Sequence, residues 1–243
     1  MSMMNKEFMR SALVPSAWAL SVVVFALAVM VWGQNVAWNV TELSTYSWFP
    51  LFGLVAFSLM WGHYVVTATR VAVGGDGDAL KPYYRVTSWI VLIALLLHPG
   101  LLIWQLWADG FGLPPMSYLT HYVAPELGWV AILGTVSLLA FLAYELWRWF
   151  DKKPWWRWVS WASEFAMLAI FYHGSRLGAE LQVEWFRALW LLYGATLVIS
   201  FAYLHWSAYR KKNDPEPWRT RGAVIGNVVT AIGVAALLAV LIS

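Results

Sequence analysis

Runs of about 20 almost uncharged residues dominate the sequence, and the most informative is TSWIVLIALLLHPGLLIWQLW at 87–107. A run of this length crosses the hydrocarbon core of a bilayer as a helix, because lipid leaves backbone amides no partner outside their own segment. Seven such spans are predicted: 12–33, 47–69, 86–107, 127–149, 156–177, 186–208 and 221–242. The fold class is therefore all-α. We expect one transmembrane domain over residues 1–243, a seven-helix bundle with a core at 12–208 and an additional helix at 221–242.

Composition and charge agree with this class. Of the 243 residues, 61% are hydrophobic and 12% are charged, which is too apolar for a soluble domain. A cytoplasmic N-terminus places 14 of the 16 Lys and Arg residues on the inner side and leaves only Arg176 and Arg187 outside. This bias explains the net charge of +3 without an acidic partner, so no nucleic acid is expected. We expect an integral protein of a bacterial or archaeal plasma membrane.

Two histidines inside predicted spans suggest a cofactor site. His98 follows Arg85 by 13 residues and His173 follows Arg157 by 16, which puts both imidazoles roughly 20–24 Å from the inner boundary at the rise of an α-helix. The third and fifth spans run in the same direction, so the two imidazoles lie at similar depth. This arrangement suits the axial ligation of one b-type haem, with each neutral imidazole binding iron through one nitrogen. The alternative is a pair of histidines that bond carbonyls or line a polar cavity.

Other ionisable groups in the spans also need an explanation, because they are costly in lipid. His63 and His205 lie near the inner face and form a second conceivable pair, although a polar contact for His63 and an interfacial position for His205 are favoured. For Glu164, a proton relay, a contact to a flavin or quinone, a pair with His63 and a plain interhelical hydrogen bond stay open. Glu145 is expected to pair with Arg148 at the surface.

Basic and small residues give further expectations. Arg176 follows His173 by about one helical turn and is a candidate partner for a haem propionate, with interfacial anchoring as the alternative. Arg85, with Lys81 and Arg70, is a candidate for holding a flavin phosphate, although the positive-inside bias alone places these residues there. Gly222 and Gly226 form a GxxxG pair that serves packing within the chain or a homo-oligomer.

With these residues in view, the sequence resembles the ferric reductase-like transmembrane domain. This superfamily includes NADPH oxidases, STEAP-type metalloreductases and the haem-binding subunit of the methionine sulfoxide reductase system. YYRVTSWIVLIALLLHPG is similar to its third core helix and WWRWVSWASEFAMLAIFYHG to its fifth, over a resemblance that covers roughly 12–208. The resemblance implies haem ligands at His98 and His173. Tyr84 and Ser160 stand where the family has its inner ligands, so only one haem is implied.

The resulting functional expectation is a membrane cytochrome that passes electrons outward through one haem. No loop is long enough for a nucleotide-binding domain, so the donor is expected to be a separate reductase, a bound FAD or FMN, or a quinol. Ferric iron, oxygen or a partner docking on 108–126 are the candidate acceptors. A haem-free seven-helix transporter or channel with a His/Glu proton or metal path, and a structural subunit of a larger complex, are the alternatives.

Overall fold

A computed structural model of the chain describes residues 3–145 and 152–210. The described residues are helical and contain no strand; the long helices are α1 (Met3–Asn35), α2 (Thr45–Val73), α3 (Lys81–Ala108), α4 (Gly128–Glu145), α5 (Trp156–Leu177) and α6 (Glu184–Arg210). The all-α prediction is confirmed, and α5 has the bounds expected for the fifth span. The predicted span 221–242, with Gly222 and Gly226, lies outside the described residues, as does Arg148.

Five of these helices are long and apolar enough to cross a membrane. They are α1 to α4 and α6. Helix α5 is not among them; it carries Arg157, Glu164 and Arg176. Because an apolar helix of this length needs lipid around its outward face, the five helices indicate a membrane protein.

Successive helices run in opposite directions, so the bundle has two ends. Near one end, the Arg10 side chain at the start of α1 donates from Nε to the carbonyl of Val73, at 3.1 Å. A cation there suits the last turn of α2, where backbone carbonyls lack helical partners. At the other end, Asn35 closes α1 beside the start of α6. We call these the Arg10 end and the Asn35 end.

Helix α2 occupies the centre of the described bundle and packs against α1, α3 and α6. Its contact with α6 is aromatic: the rings of Phe57 and Trp190 have centres 4.2 Å apart, and those of Trp61 and Tyr193 4.3 Å apart. Helices α4 and α5 pack as a second antiparallel pair. The two pairs α2–α3 and α4–α5 each contribute one of the predicted ligand histidines.

Candidate cofactor site

The structure brings His98 of α3 and His173 of α5 together. Their ring centres lie 6.4 Å apart, and the ring planes are nearly perpendicular at 83°. Both side chains are half-buried and line one cavity of about 310 Å³. This volume is at the lower end of the range for ligand and cofactor sites.

One nitrogen of each ring is held by a helix backbone. His98 donates from Nδ1 to the carbonyl of Phe49, and His173 donates from Nδ1 to the carbonyl of Val130, both at 2.8 Å. A neutral imidazole with its proton on Nδ1 keeps a lone pair on Nε2. Among the described residues neither Nε2 has a hydrogen-bond partner. Both rings are therefore fixed in the tautomer that binds a metal through Nε2.

A glycine makes each of these backbone contacts possible. A Cβ on Gly53 of α2 would lie 2.7 Å from Cε1 and Nδ1 of His98, and a Cβ on Gly134 of α4 would lie 2.7 Å from Cε1 of His173. Each glycine follows its carbonyl acceptor by four residues, and a helical side chain covers the turn before its own Cα. Without a side chain at Gly53 and Gly134, the imidazoles reach the carbonyls of Phe49 and Val130.

This contact is repeated in the two helix pairs. In α2–α3 and again in α4–α5, a carbonyl, a glycine four residues later and a histidine of the next long helix meet in the same way. The repetition is not visible in the sequence, because the segments PLFG and AILG, which end in Gly53 and Gly134, share little but their apolar character.

The spacing of the rings fits two ligands on opposite sides of one metal. With about 2.0 Å from metal to nitrogen, and about 1.1 Å from nitrogen to ring centre, two such imidazoles have centres roughly 6.2 Å apart. The observed 6.4 Å agrees. Among the described residues no three His, Cys, Asp or Glu side chains are grouped to hold a metal ion. A porphyrin supplies the remaining four nitrogens itself, so the donor set fits haem better than a bare ion.

Most polar side chains of the cavity, apart from the two histidines and Thr135, lie at the Asn35 end. Asn35, Tyr46, Tyr122 and Glu180 line it there, whereas Met60, on the Arg10 side, is one of its apolar lining residues. Glu180 is only 2% exposed, and Asn35 donates from Nδ2 to its Oε1 at 3.3 Å. Burial raises the pKa of Glu180 above its ordinary value.

The two candidate cations lie outside the cavity lining. Arg176 is exposed on α5, three residues beyond His173, and Arg85 is exposed near the start of α3. Their roles toward a propionate and a flavin phosphate stay predictions. Of the neighbours proposed with Arg85, Lys81 forms an ion pair with Asp78 at 2.8 Å.

The remaining intramembrane histidines bind other protein groups. His63 Nε2 lies 2.7 Å from Oγ1 of Thr87, and His205 Nε2 lies 2.7 Å from Oε2 of Glu164. Glu164 thus makes an interhelical contact between α5 and α6, and its partner is His205 rather than His63. Tyr84, at a position where the resembled family has a ligand, hydrogen-bonds Thr67 at 2.8 Å.

Sequence reasoning missed Gly53, Gly134, Glu180 and the two carbonyl acceptors. A glycine inside a helix is unfavourable without a packing reason, so Gly53 and Gly134 were detectable as positions of close approach. Glu180 carried no comparable signal, because its burial depends on the way α1 and α6 meet.

Comparison with known proteins adds no relative: no family model, curated protein or solved structure matches this chain.

Proposed function

We propose that this protein is a membrane b-type cytochrome in which His98 and His173 are the axial ligands of one haem. The observation that carries the proposal is the pair of imidazoles in one cavity, 6.4 Å apart, each with Nδ1 bonded to a backbone carbonyl. The haem, when bound, supplies one-electron transfer. The protein's own part is to fix two neutral imidazoles and surround them with apolar walls.

The proposed direction of electron flow follows from topology. Apart from Arg176 and Arg187, the described Lys and Arg residues lie toward the Arg10 end, which supports a cytoplasmic position for that end. The site lies toward the Asn35 end, on the outer side. Electrons would enter from a separate reductase, a flavin or a quinol at the inner side and leave to an acceptor outside. The full proposal includes seven spans, with α5 and residues 221–242 also crossing the bilayer.

Absorption spectroscopy of the purified, detergent-solubilised protein tests the ligand assignment. We expect a reduced-minus-oxidised b-type spectrum, confirmed by pyridine haemochrome analysis, and its loss in His98→Ala and in His173→Ala. His121→Ala is the matched control, because this histidine is exposed and stacks on Phe111 outside the cavity. A colourless wild-type protein, or a full haem spectrum in both ligand variants, would refute the proposal.

A transport function is the second candidate, and it rests on the Glu164–His205 contact. Both side chains are largely buried, 16% and 17% exposed, which is unusual for ionisable groups inside a membrane bundle. This function predicts haem-free protein and a proton flux in liposomes that Glu164→Gln abolishes. A haem-containing protein with no flux would exclude it.

A further inference from the structure

The cavity that contains the two histidines is most polar at one end. The hydrogen-bonding side chains Asn35, Tyr46, Tyr118, Tyr122 and Glu180 lie at the Asn35 end, while Thr135 lies beside Gly134 at the level of the histidines. Haem has two propionate carboxylates, and a carboxylate is costly to bury among apolar side chains. If the proposed function holds, the propionates belong at this polar end of the cavity, and Glu180 is the carboxyl group of the protein there.

From this arrangement we infer that Glu180 is a redox-linked proton-binding residue, which shares a proton with a haem propionate and takes up one proton as the site gains one electron. The inference rests on the proposed function. It also assigns the contact with the propionate to Glu180, whereas the sequence had suggested Arg176, which is exposed and outside the cavity lining.

The physical reason is the repulsion between two carboxylates in a poorly solvated place. When two carboxyl groups lie close together, ionising both is unfavourable, so the pair retains one proton and titrates as a unit. The burial that raises the pKa of Glu180 acts in the same direction. An added electron makes the site more negative and strengthens proton binding. By reciprocity, protons then favour reduction, so the midpoint potential falls as the pH rises.

Glu180 is the main candidate for binding this proton, because the groups around it are less suited to titrate. Tyr46, Tyr118 and Tyr122 line the same end of the cavity. Burial raises the pKa of the Tyr118 and Tyr122 phenols, which keeps both neutral. Tyr46 donates a hydrogen bond from its hydroxyl to Asp109 at 2.7 Å. From α1, Asn35 contributes an amide that does not titrate. Other ionisable residues on neighbouring segments are exposed, namely Asp109, Glu184, Arg176 and Arg187. His173 is the proposed ligand itself.

Potentiometric titration of the haem between pH 5 and pH 9 tests the inference. A single coupled proton lowers the wild-type midpoint potential by up to about 59 mV per pH unit over the range where the pair titrates. Glu180→Gln keeps the side-chain shape and an acceptor for Asn35, and we expect it to lose at least half of that slope. Glu180→Asp keeps the carboxyl group and should retain most of it. Glu184→Gln removes a nearby exposed carboxylate and should leave the slope unchanged.

Infrared spectroscopy gives a second, independent measurement. The reduced-minus-oxidised difference spectrum should contain a band of a protonated carboxyl group that disappears in Glu180→Gln and persists in Glu184→Gln. Both results together support the inference.

A haem-containing protein whose pH slope survives in Glu180→Gln, or disappears only in Arg176→Gln, overturns the inference and leaves the proposed function intact. Wild-type protein without haem overturns both.

Discussion

The histidines toward the two ends of the bundle use their ring nitrogens differently. Toward the Asn35 end, His98 and His173 each donate from Nδ1 to a backbone carbonyl, and among the described residues neither Nε2 has a partner. Toward the Arg10 end, His63 and His205 direct Nε2 to side-chain oxygens of Thr87 and Glu164. The first pair keeps a lone pair for a metal, and in the second pair the same nitrogen is engaged.

This difference teaches that depth and helix direction are not enough to identify a ligand pair. His63 and His205 satisfy both criteria, since they lie at similar depth on α2 and α6, which run in the same direction. Their side chains nevertheless contact α3 and α5 instead of each other. A carbonyl acceptor for Nδ1, exposed by a glycine, is the feature that distinguishes His98 and His173.

The largest effect is expected when the glycines beside the ligand rings are changed. Gly53→Ala and Gly134→Ala would each place a methyl group 2.7 Å from an imidazole atom and move the ring off its carbonyl. The hydrogen-bond partner that orients a metal-binding histidine contributes about 10–100-fold to metal affinity. We therefore expect at least a tenfold loss of haem affinity. Haem content per purified protein, and the concentration of added haem needed to restore it, measure the effect.

Two other glycines provide matched controls. A Cβ on Gly62, also in α2, would meet only a Tyr83 hydroxyl at 3.8 Å, and a Cβ on Gly100 in α3 would meet nothing within 4 Å. Gly62→Ala and Gly100→Ala should keep full haem content. Equal haem content in all four variants would show that the glycine–carbonyl contact does not distinguish the two classes of histidine.

The helices were largely predictable from sequence, because apolar length decides them in lipid. The bounds of α2 extend the predicted 47–69 to Thr45–Val73. The fifth helix has the predicted bounds 156–177, although it is not among the five helices long and apolar enough to cross a membrane. The approach of His98 to His173 was also anticipated from depth and direction. These features depend on apolar length and on the position of a residue along its own helix, and both can be read from the sequence.

The partners of the polar groups were less predictable. Glu164 had been considered as a partner of His63 and instead contacts His205, because the rotation of α5 relative to α6 decides which side chain it meets. Glu180 and Asn35 are 145 residues apart and meet only where the end of α1 approaches the short segment that precedes α6. Such contacts depend on the rotation and tilt of helices, which apolar runs do not encode.

An intermediate effect is expected when the Glu164–His205 contact is broken. His205→Ala leaves a carboxyl group in the bundle with one fewer partner, and polar contacts between membrane helices contribute about 1–2 kcal/mol at the upper end. We expect a loss of stability of this size, measured by denaturant titration in detergent, with haem content unchanged. Glu164→Gln and the double variant complete a cycle that isolates the pair. A loss of haem in His205→Ala would instead place this histidine in the cofactor site.

The smallest effect on stability is expected when the hydrogen-bond partner of His63 is removed. Thr87→Val has nearly the same shape and removes the hydroxyl that His63 contacts, so it frees the Nε2 of this histidine. An average interhelical hydrogen bond in a membrane protein is worth about 0.6 kcal/mol, and we expect a destabilisation near that value. Haem stoichiometry should stay at one per chain, because His63 lacks a facing imidazole even with Nε2 free. A second haem in this variant would mean that Thr87, and not the direction of the side chains, separates the two classes of histidine.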